Sequence, residues 1–123
     1  MSRLVHFELP AGDAERAKGF WSALFGWEFA GAQVPGIEYH MTEAGGEPGG
    51  AVYPSEDLAG KGPIVYFGTD DIDSSLAKVR ELGGQVEQEK MPIPGVGWFA
   101  RCRDTEGNAF SLFEADESVA PGY

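Results

Sequence analysis

Three observations in this sequence predict an α+β fold made of two βαβββ modules. The stretches Val5 to Gly26 and Ile64 to Gly83 each read as a short alternating strand, an acidic cap and an amphipathic helix ended by glycine. Each is then followed by further strand-like runs, so the order strand, helix, three strands occurs twice. Finally, 123 residues at 42% hydrophobic suit one domain with a real core and are too few for two independent ones. The repeat is therefore read as two halves of one domain: module one at about 3–54, a linker at about 55–62, module two at about 63–115 and a tail at 116–123. The cleft between two such halves is where a ligand is expected.

In the first module Val5, Phe7 and Leu9 alternate with His6, Glu8 and Pro10, which puts one apolar face against a helix and leaves His6 and Glu8 on the other. Asp13 caps the following helix, Ala17, Phe20, Trp21, Leu24 and Phe25 form its apolar stripe, and Gly26 stops it; the stripe is read as core. Trp27-Glu28-Phe29 begins a second strand. Ile37 to Thr42 is a third, with Ile37, Tyr39 and Met41 alternating against Glu38, His40 and Thr42. The glycine cluster from Gly45 to Gly50 interrupts the pattern before a short strand at Ala51 to Tyr53.

The second module opens on the strand Ile64 to Gly68 and a helix capped by Asp71, with Ile72, Leu76, Val79 and Leu82 on one face and Gly83-Gly84 as the stop. Gln85 to Lys90 is the next strand, Met91 to Gly95 a proline-stiffened loop, and Trp98 to Arg103 with Ala109 to Glu114 a hairpin about the turn Asp104 to Asn108. The tail from Ala115 is expected to be extended or loosely held.

A formal charge of −11, from 20 acidic against 9 basic residues, repels phosphate backbones and anionic headgroups, so neither nucleic acid nor membrane is expected as a partner. Met1 to Val5 leads straight into strand pattern, without a signal-peptide core, and no run reaches membrane-spanning length; the expectation is a cytoplasmic protein. Cys102 is the single cysteine, which excludes an intrachain disulfide and a cysteine-built zinc site. Its strand-like surroundings predict a packed thiol.

His6-Phe7-Glu8-Leu9-Pro10, Phe20-Trp21, Leu24-Phe25-Gly26-Trp27, Pro94 to Ala100 and Gly107-Asn108, set in the doubled strand and helix order, resemble the vicinal oxygen chelate superfamily. That superfamily includes glyoxalase I, extradiol dioxygenases and bleomycin-binding resistance proteins, and the likeness is to a glyoxalase-related bacterial branch with no established reaction. The resemblance implies two modules whose mixed sheet curls around a cleft with the helices on the outer face, a homodimer, and a divalent metal that chelates two neighbouring substrate oxygens.

The resemblance also implies four metal-ligand positions. The first falls on His6, the second on Ile64, the third on Ser111, and the fourth in the stretch Pro48 to Pro54, which holds no acidic residue, histidine or cysteine. One good donor is too few for a catalytic site, so no cofactor is expected at the usual positions. A relocated site built from His6, Glu8, Glu38 and His40 is the alternative. Glu114 alternates away from Ser111 and is read as structural or solvated.

The remaining cleft candidates are Ile64, Tyr66 and Phe113 by alternation, with Trp98 or Phe99 depending on which hairpin face turns inward; His6, Glu8, Tyr66 and Ser111 would orient a ligand. Such a lining suits a small aromatic or oxygenated organic molecule. Three functions compete: a metal-independent small-molecule-binding protein, a lyase or isomerase with His6 or Glu8 as base, and a scaffold with a filled interior.

Overall fold

The computed structural model describes residues 3–31 and 38–120. Its elements, among the described residues, are β1 (Leu4–Ala11), α1 (Ala14–Phe25), β2 (Ala30–Gly31), β3 (His40–Thr42), β4 (Gly50–Pro54), β5 (Ile64–Gly68), α2 (Ile72–Glu81), β6 (Gln85–Ile93), β7 (Gly97–Arg103) and β8 (Ala109–Ala115). The fold is α+β, with the βαβββ order present twice. Two units are distinguishable, one taking in Val5–Ile64 and the other Val65 onward together with Leu4.

In the first unit the strands run in the order β2-β3-β4-β1, with β1 parallel to β4 and the remaining pairs antiparallel. In the second, β5 is parallel to β8 and β8-β7-β6 is an antiparallel run, the same arrangement on a second set of strands. Both helices begin as the sequence predicts. The carboxylates of Asp13 and Asp71 accept from the backbone N–H of Arg16 and Ser74, three residues on, and so satisfy one donor that the first turn leaves open. At the end of α1, Gly26 takes the left-handed conformation at φ 74° and its N–H reaches the Ser22 carbonyl.

The core of the first unit is small. Ala11, Ala14 and Val52 are buried, with Leu9, Ala17, Trp21 and Phe29 packed around them. Here the helix stripe departs from expectation: Ala17 and Trp21 turn to the sheet, whereas Phe20, Leu24 and Phe25 are more than half exposed. The face of α1 that packs is the row Ala14, Ala17 and Trp21, and Phe20, Leu24 and Phe25 lie beside it. Trp27 is not in a strand. It stacks on Trp21 at 5.2 Å between ring centroids and lies 6.1 Å from Phe7, so the chain after Gly26 folds back on the helix before β2 starts at Ala30. The third strand is shorter than predicted, and its expected first residue, Ile37, lies outside the described residues, as do Met1, Ser2 and the last three of the tail.

The second unit has the larger core: Ile72, Leu76, Ala100, Cys102 and Leu112, with Val79, Val86, Trp98 and Phe110 against it. Leu82 belongs to the predicted stripe but is 68% exposed, because α2 ends at Glu81 and Leu82 is its cap. Cys102 is packed as expected, and burial pushes its thiol up to about 11. Glu114 is structural, as alternation predicts: its Oε1 accepts from the backbone N–H of Ile72 at 2.8 Å, adding an acceptor to the first turn of α2.

The loop expected from Met91 is instead strand. β6 continues through Met91, Pro92 and Ile93, paired with Phe99, Trp98 and Gly97. Pro92 is tolerated there because β6 has a neighbour on one side only within its unit, so a missing N–H need cost no ladder bond. The hairpin turn follows prediction. Asp104 accepts from the N–H groups of Glu106 and Asn108 and from the Asn108 side chain, and these bonds hold its carboxyl below the ordinary range. Gly107 supplies the positive φ of 85° that closes it. The described part of the tail, to Ala120, is tied down, with Asp116 N–H on the Val96 carbonyl, Gly95 N–H on the Val119 carbonyl, and Val119 buried.

Candidate functional site

In β1 the apolar residues Phe7 and Leu9 turn toward the helix layer, which leaves His6 and Glu8 on the opposite face of the first unit's sheet. Tyr39, just before β3, joins them. His6 Nε2 lies 2.6 Å from the Tyr39 hydroxyl, and that hydroxyl donates to Glu8 Oε2 at 2.7 Å. A phenol has one proton, here given to Glu8, so its oxygen accepts from His6 and Nε2 carries a hydrogen. Nδ1 is then the acceptor nitrogen of a neutral ring. Tyr53 on β4 extends the group, its ring centroid 6.1 Å from that of Tyr39.

Burial lowers the His6 pKa from its ordinary 6.5, with the nearby Glu8 carboxylate acting weakly in the opposite direction. His6 is therefore neutral near pH 7, the form able to accept a proton. The same shift affects stability. The unfolded chain protonates His6 at about the ordinary value while the folded chain resists, so stability is lost as the pH falls below 6.5 and is independent of this group above it. Urea midpoints compared between about pH 8 and pH 5 should fall more for the wild type than for His6→Gln. An equal fall in the two proteins would show that His6 contributes no such linkage.

The four residues considered for a relocated metal site do not assemble. Glu38 and His40 bond each other at 2.9 Å, and His40 Nδ1 lies 3.3 Å from Lys18 Nζ on α1, with Lys18 also paired to Glu15. This pair points to the helix side while Tyr39, between them in sequence, points to His6. Alternation was read correctly, but the polar side of this strand is the helix side because Lys18 rises to meet it. Sequence alternation places Tyr39 with the apolar residues Ile37 and Met41, and gives Tyr53 no face, so neither tyrosine stands out as a site residue before the strands are paired.

The second unit brings together another set. Ser111 is opposite Arg101 across the β7–β8 ladder and in register with Tyr66 on β5, and Phe99 is opposite Phe113. Residues paired in register share a sheet face, so these five side chains stand on the face away from α2. Trp98 does not join them. It packs in the core under α2, its indole N–H directed at Asp116 at 3.4 Å and Lys90 4.7 Å over its ring, so of the two hairpin aromatics it is Phe99 that stands with Tyr66 and Ser111. Ile64 is buried. A shallow groove of about 400 Å³ lined by Val65, Phe67, Asp104 and Phe110 opens on the other, α2-bearing side of this sheet.

With the doubled module and these faces described, comparison with known proteins decides the family. The profile of the Glyoxalase/Bleomycin resistance protein/Dioxygenase superfamily matches residues 3–112. This chain belongs to that superfamily. Similar superfamily proteins include the putative glyoxylase CFP32 of Mycobacterium tuberculosis, 34% identical over 113 residues that cover 90% of this chain and 43% of that protein. A glyoxylase-like domain-containing protein of Didymella fabae is 31% identical over 112 residues, covering 85% of this chain and 88% of it. This chain thus spans less than half the length of CFP32 but most of the fungal protein. Among solved structures, methylmalonyl-CoA epimerase from Mycobacterium tuberculosis superposes with a TM-score of 0.71 at 15% identity, over 92% of this chain and 87% of that one. At that identity the likeness is one of fold.

Superfamily members often hold a divalent metal. Of the positions expected to ligate, His6 has its Nε2 engaged by Tyr39, Ile64 has no donor atom, Ser111 offers a neutral hydroxyl, and β4 contributes Gly50, Ala51, Val52, Tyr53 and Pro54. Among the described residues no three histidine, cysteine or carboxylate side chains gather closely enough to bind an ion. Among the described residues, too, no helix is long and apolar enough to cross a membrane.

Proposed function

We propose that this superfamily member binds a small oxygenated organic molecule and moves a proton on it, a lyase or isomerase type of chemistry carried by His6 without a metal. The observation behind the proposal is the chain His6 Nε2, Tyr39 Oη, Glu8 Oε2, with links of 2.6 and 2.7 Å. Neutral His6 takes a proton from a carbon acid at Nδ1 and becomes an imidazolium. Tyr39 and the buried Glu8 offset that new charge through the hydrogen bonds already in place, and the proton returns from Nδ1 to the ligand. Glu8 in this scheme stabilises and orients; His6 is the base.

The test is α-proton exchange. In D2O, followed by proton NMR, methylmalonyl-CoA or dihydroxyacetone should lose its α-proton signal faster with the protein than in buffer alone. Failure with both compounds would remove the proton-transfer reading.

A second reading, a protein that holds its ligand without changing it, is supported by the aromatic face of Tyr66, Phe99 and Phe113 and by the missing donors at Ile64 and Ser111. It predicts ligand-induced thermal stabilisation with no exchange.

A homodimer accompanies either reading. Phe20, Leu24 and Phe25 form an exposed apolar patch on α1, and a twofold axis would set two such patches against each other. Sedimentation equilibrium should give twice the chain mass for the wild type and the chain mass for Leu24→Lys; a monomeric wild type would overturn it. The buried, reduced Cys102 is in keeping with a cytoplasmic setting.

A further inference from the structure

The second unit carries an opening on the sheet face that bears α2. The helix packs across β8, β7 and β6 but not β5, which leaves the β5 end of that face beyond its cover. The groove of about 400 Å³ lies there, within the size range of small-molecule sites. Val65 and Phe67 of β5 and Phe110 of β8 form its apolar wall, and Asp104 and Asn108, in the turn before β8, its polar end.

The wall is aromatic. Phe67 and Phe110 meet edge to face with centroids 6.2 Å apart, and Phe67 is 37% exposed although it is a large apolar side chain. A ring left wet in a concavity gains by contact with a second apolar body. The polar end is anionic. Hydrogen bonds from the Asn108 side chain and backbone, and from the Glu106 N–H, hold the Asp104 carboxyl below its ordinary range, so it is ionised near pH 7. Oδ1 accepts both backbone N–H groups and Oδ2 the Asn108 amide, so Oδ2 keeps an acceptor position. The adjacent Arg103 is committed to Glu87 and to the Gly107 carbonyl. Ring faces attract a cation through their quadrupole and a carboxylate attracts it through charge. The formal charge of −11 adds to this, drawing cations and repelling anions.

We propose that this groove binds a small aromatic amine in its protonated form, with the aryl ring against Phe67 and Phe110 and the ammonium at Asp104 Oδ2. Asp104 then has two uses, since Oδ1 closes the β7–β8 turn while Oδ2 meets the ligand. The site is separate from the chemistry assigned to His6 and does not depend on it.

The probes are phenethylammonium, its uncharged isostere 2-phenylethanol and the anion phenylacetate, titrated at pH 7 into the isotope-labelled full chain and followed by backbone amide signals in NMR. Phenethylammonium should bind with a Kd of about 1–10 mM, as expected of so small a ligand in an open groove. It should bind about three- to fivefold more tightly than 2-phenylethanol, and phenylacetate more weakly than either. The signals that move should be those of residues 65–67 and 108–110. Sodium chloride at about 0.5 M should remove most of the ammonium preference, because an exposed ion pair is screened. Asp104→Asn keeps an oxygen to accept the turn's N–H groups but carries no charge, and should bind the ammonium and the alcohol equally. Phe67→Ala should weaken both about threefold or more. Equal affinities in the wild type, an ammonium preference that survives in Asp104→Asn, or movement confined to other residues would overturn the proposal. So would no binding of any probe, the result expected if a second copy of the chain covers the groove. None of these outcomes touches proton exchange at His6. If Asp104→Asn fails to fold, the salt dependence and Phe67→Ala decide the matter.

Discussion

His6→Gln is expected to slow α-proton exchange by a factor of about 10²–10⁴, the usual contribution of a positioned general base. Glutamine retains a side-chain amide to meet the Tyr39 hydroxyl but has no nitrogen that takes up a proton near pH 7. Tyr39→Phe separates the base from its support. It keeps the ring, breaks both the 2.6 Å and the 2.7 Å bonds, and leaves His6 and Glu8 without this hydroxyl. A smaller fall, about tenfold, is expected, together with a displaced acid limb in the pH profile of the rate. Exchange rates measured by NMR across pH, with circular dichroism to confirm folding, check both variants. An unchanged rate in His6→Gln would dismiss His6 as the base. An unchanged pH profile in Tyr39→Phe would reduce Tyr39 to a packing residue.

The largest stability effect is expected at Ile72→Ala. Ile72 is 1% exposed and sits where α2 meets Ala100, Cys102 and Leu112. Removing most of its side chain leaves a cavity under the first turn of the helix, at a cost of about 2–5 kcal/mol. For a chain of this size that lowers the thermal midpoint by roughly 8 °C or more. Leu82→Ala is the internal control. The two positions belong to one stripe in the sequence, but Leu82 is 68% exposed and its truncation should change stability by no more than about 0.5 kcal/mol. Urea unfolding with an unchanged m-value measures the difference. Equal losses at both sites would mean that α2 continues past Glu81 and packs along its whole length.

Much of the fold was legible because it rests on short-range rules. Asp13 and Asp71 cap helices whose apolar spacing is helical, Gly26 ends the first with a positive φ, and the Asp104 to Asn108 turn closes on its own side chains. Each depends on residues within four of itself. Errors arose where a neighbour remote in sequence decides the outcome. Pro92 sits in a strand because β6 lies at the edge of its unit's sheet, and Phe20, Leu24 and Phe25 are exposed because α1 packs through Ala14, Ala17 and Trp21 instead.

The candidate site divides along the same line. His6 and Glu8 could be placed on one face of β1 from alternation alone, since side chains on a strand point to opposite sides in turn. Which residue would meet them could not. Tyr39 lies 31 residues from Glu8, and its role depends on β3 reaching β1's sheet through β4. Likewise Arg101 carries no mark in sequence distinguishing it from Arg103; only the register that sets it opposite Ser111 does.

By itself, then, the sequence determined the doubled βαβββ order, the caps and stops of both helices, and the faces of β1 and β8. These follow from periodicity, local hydrogen bonding and the chemistry of single side chains. The tertiary structure alone decided that Tyr39 links His6 to Glu8, that Glu38 and His40 turn to Lys18, that Trp98 is core, and that Arg101 faces a buried hydroxyl. Pairing register and sheet order join residues dozens apart, and neither is encoded in the local pattern of any one strand.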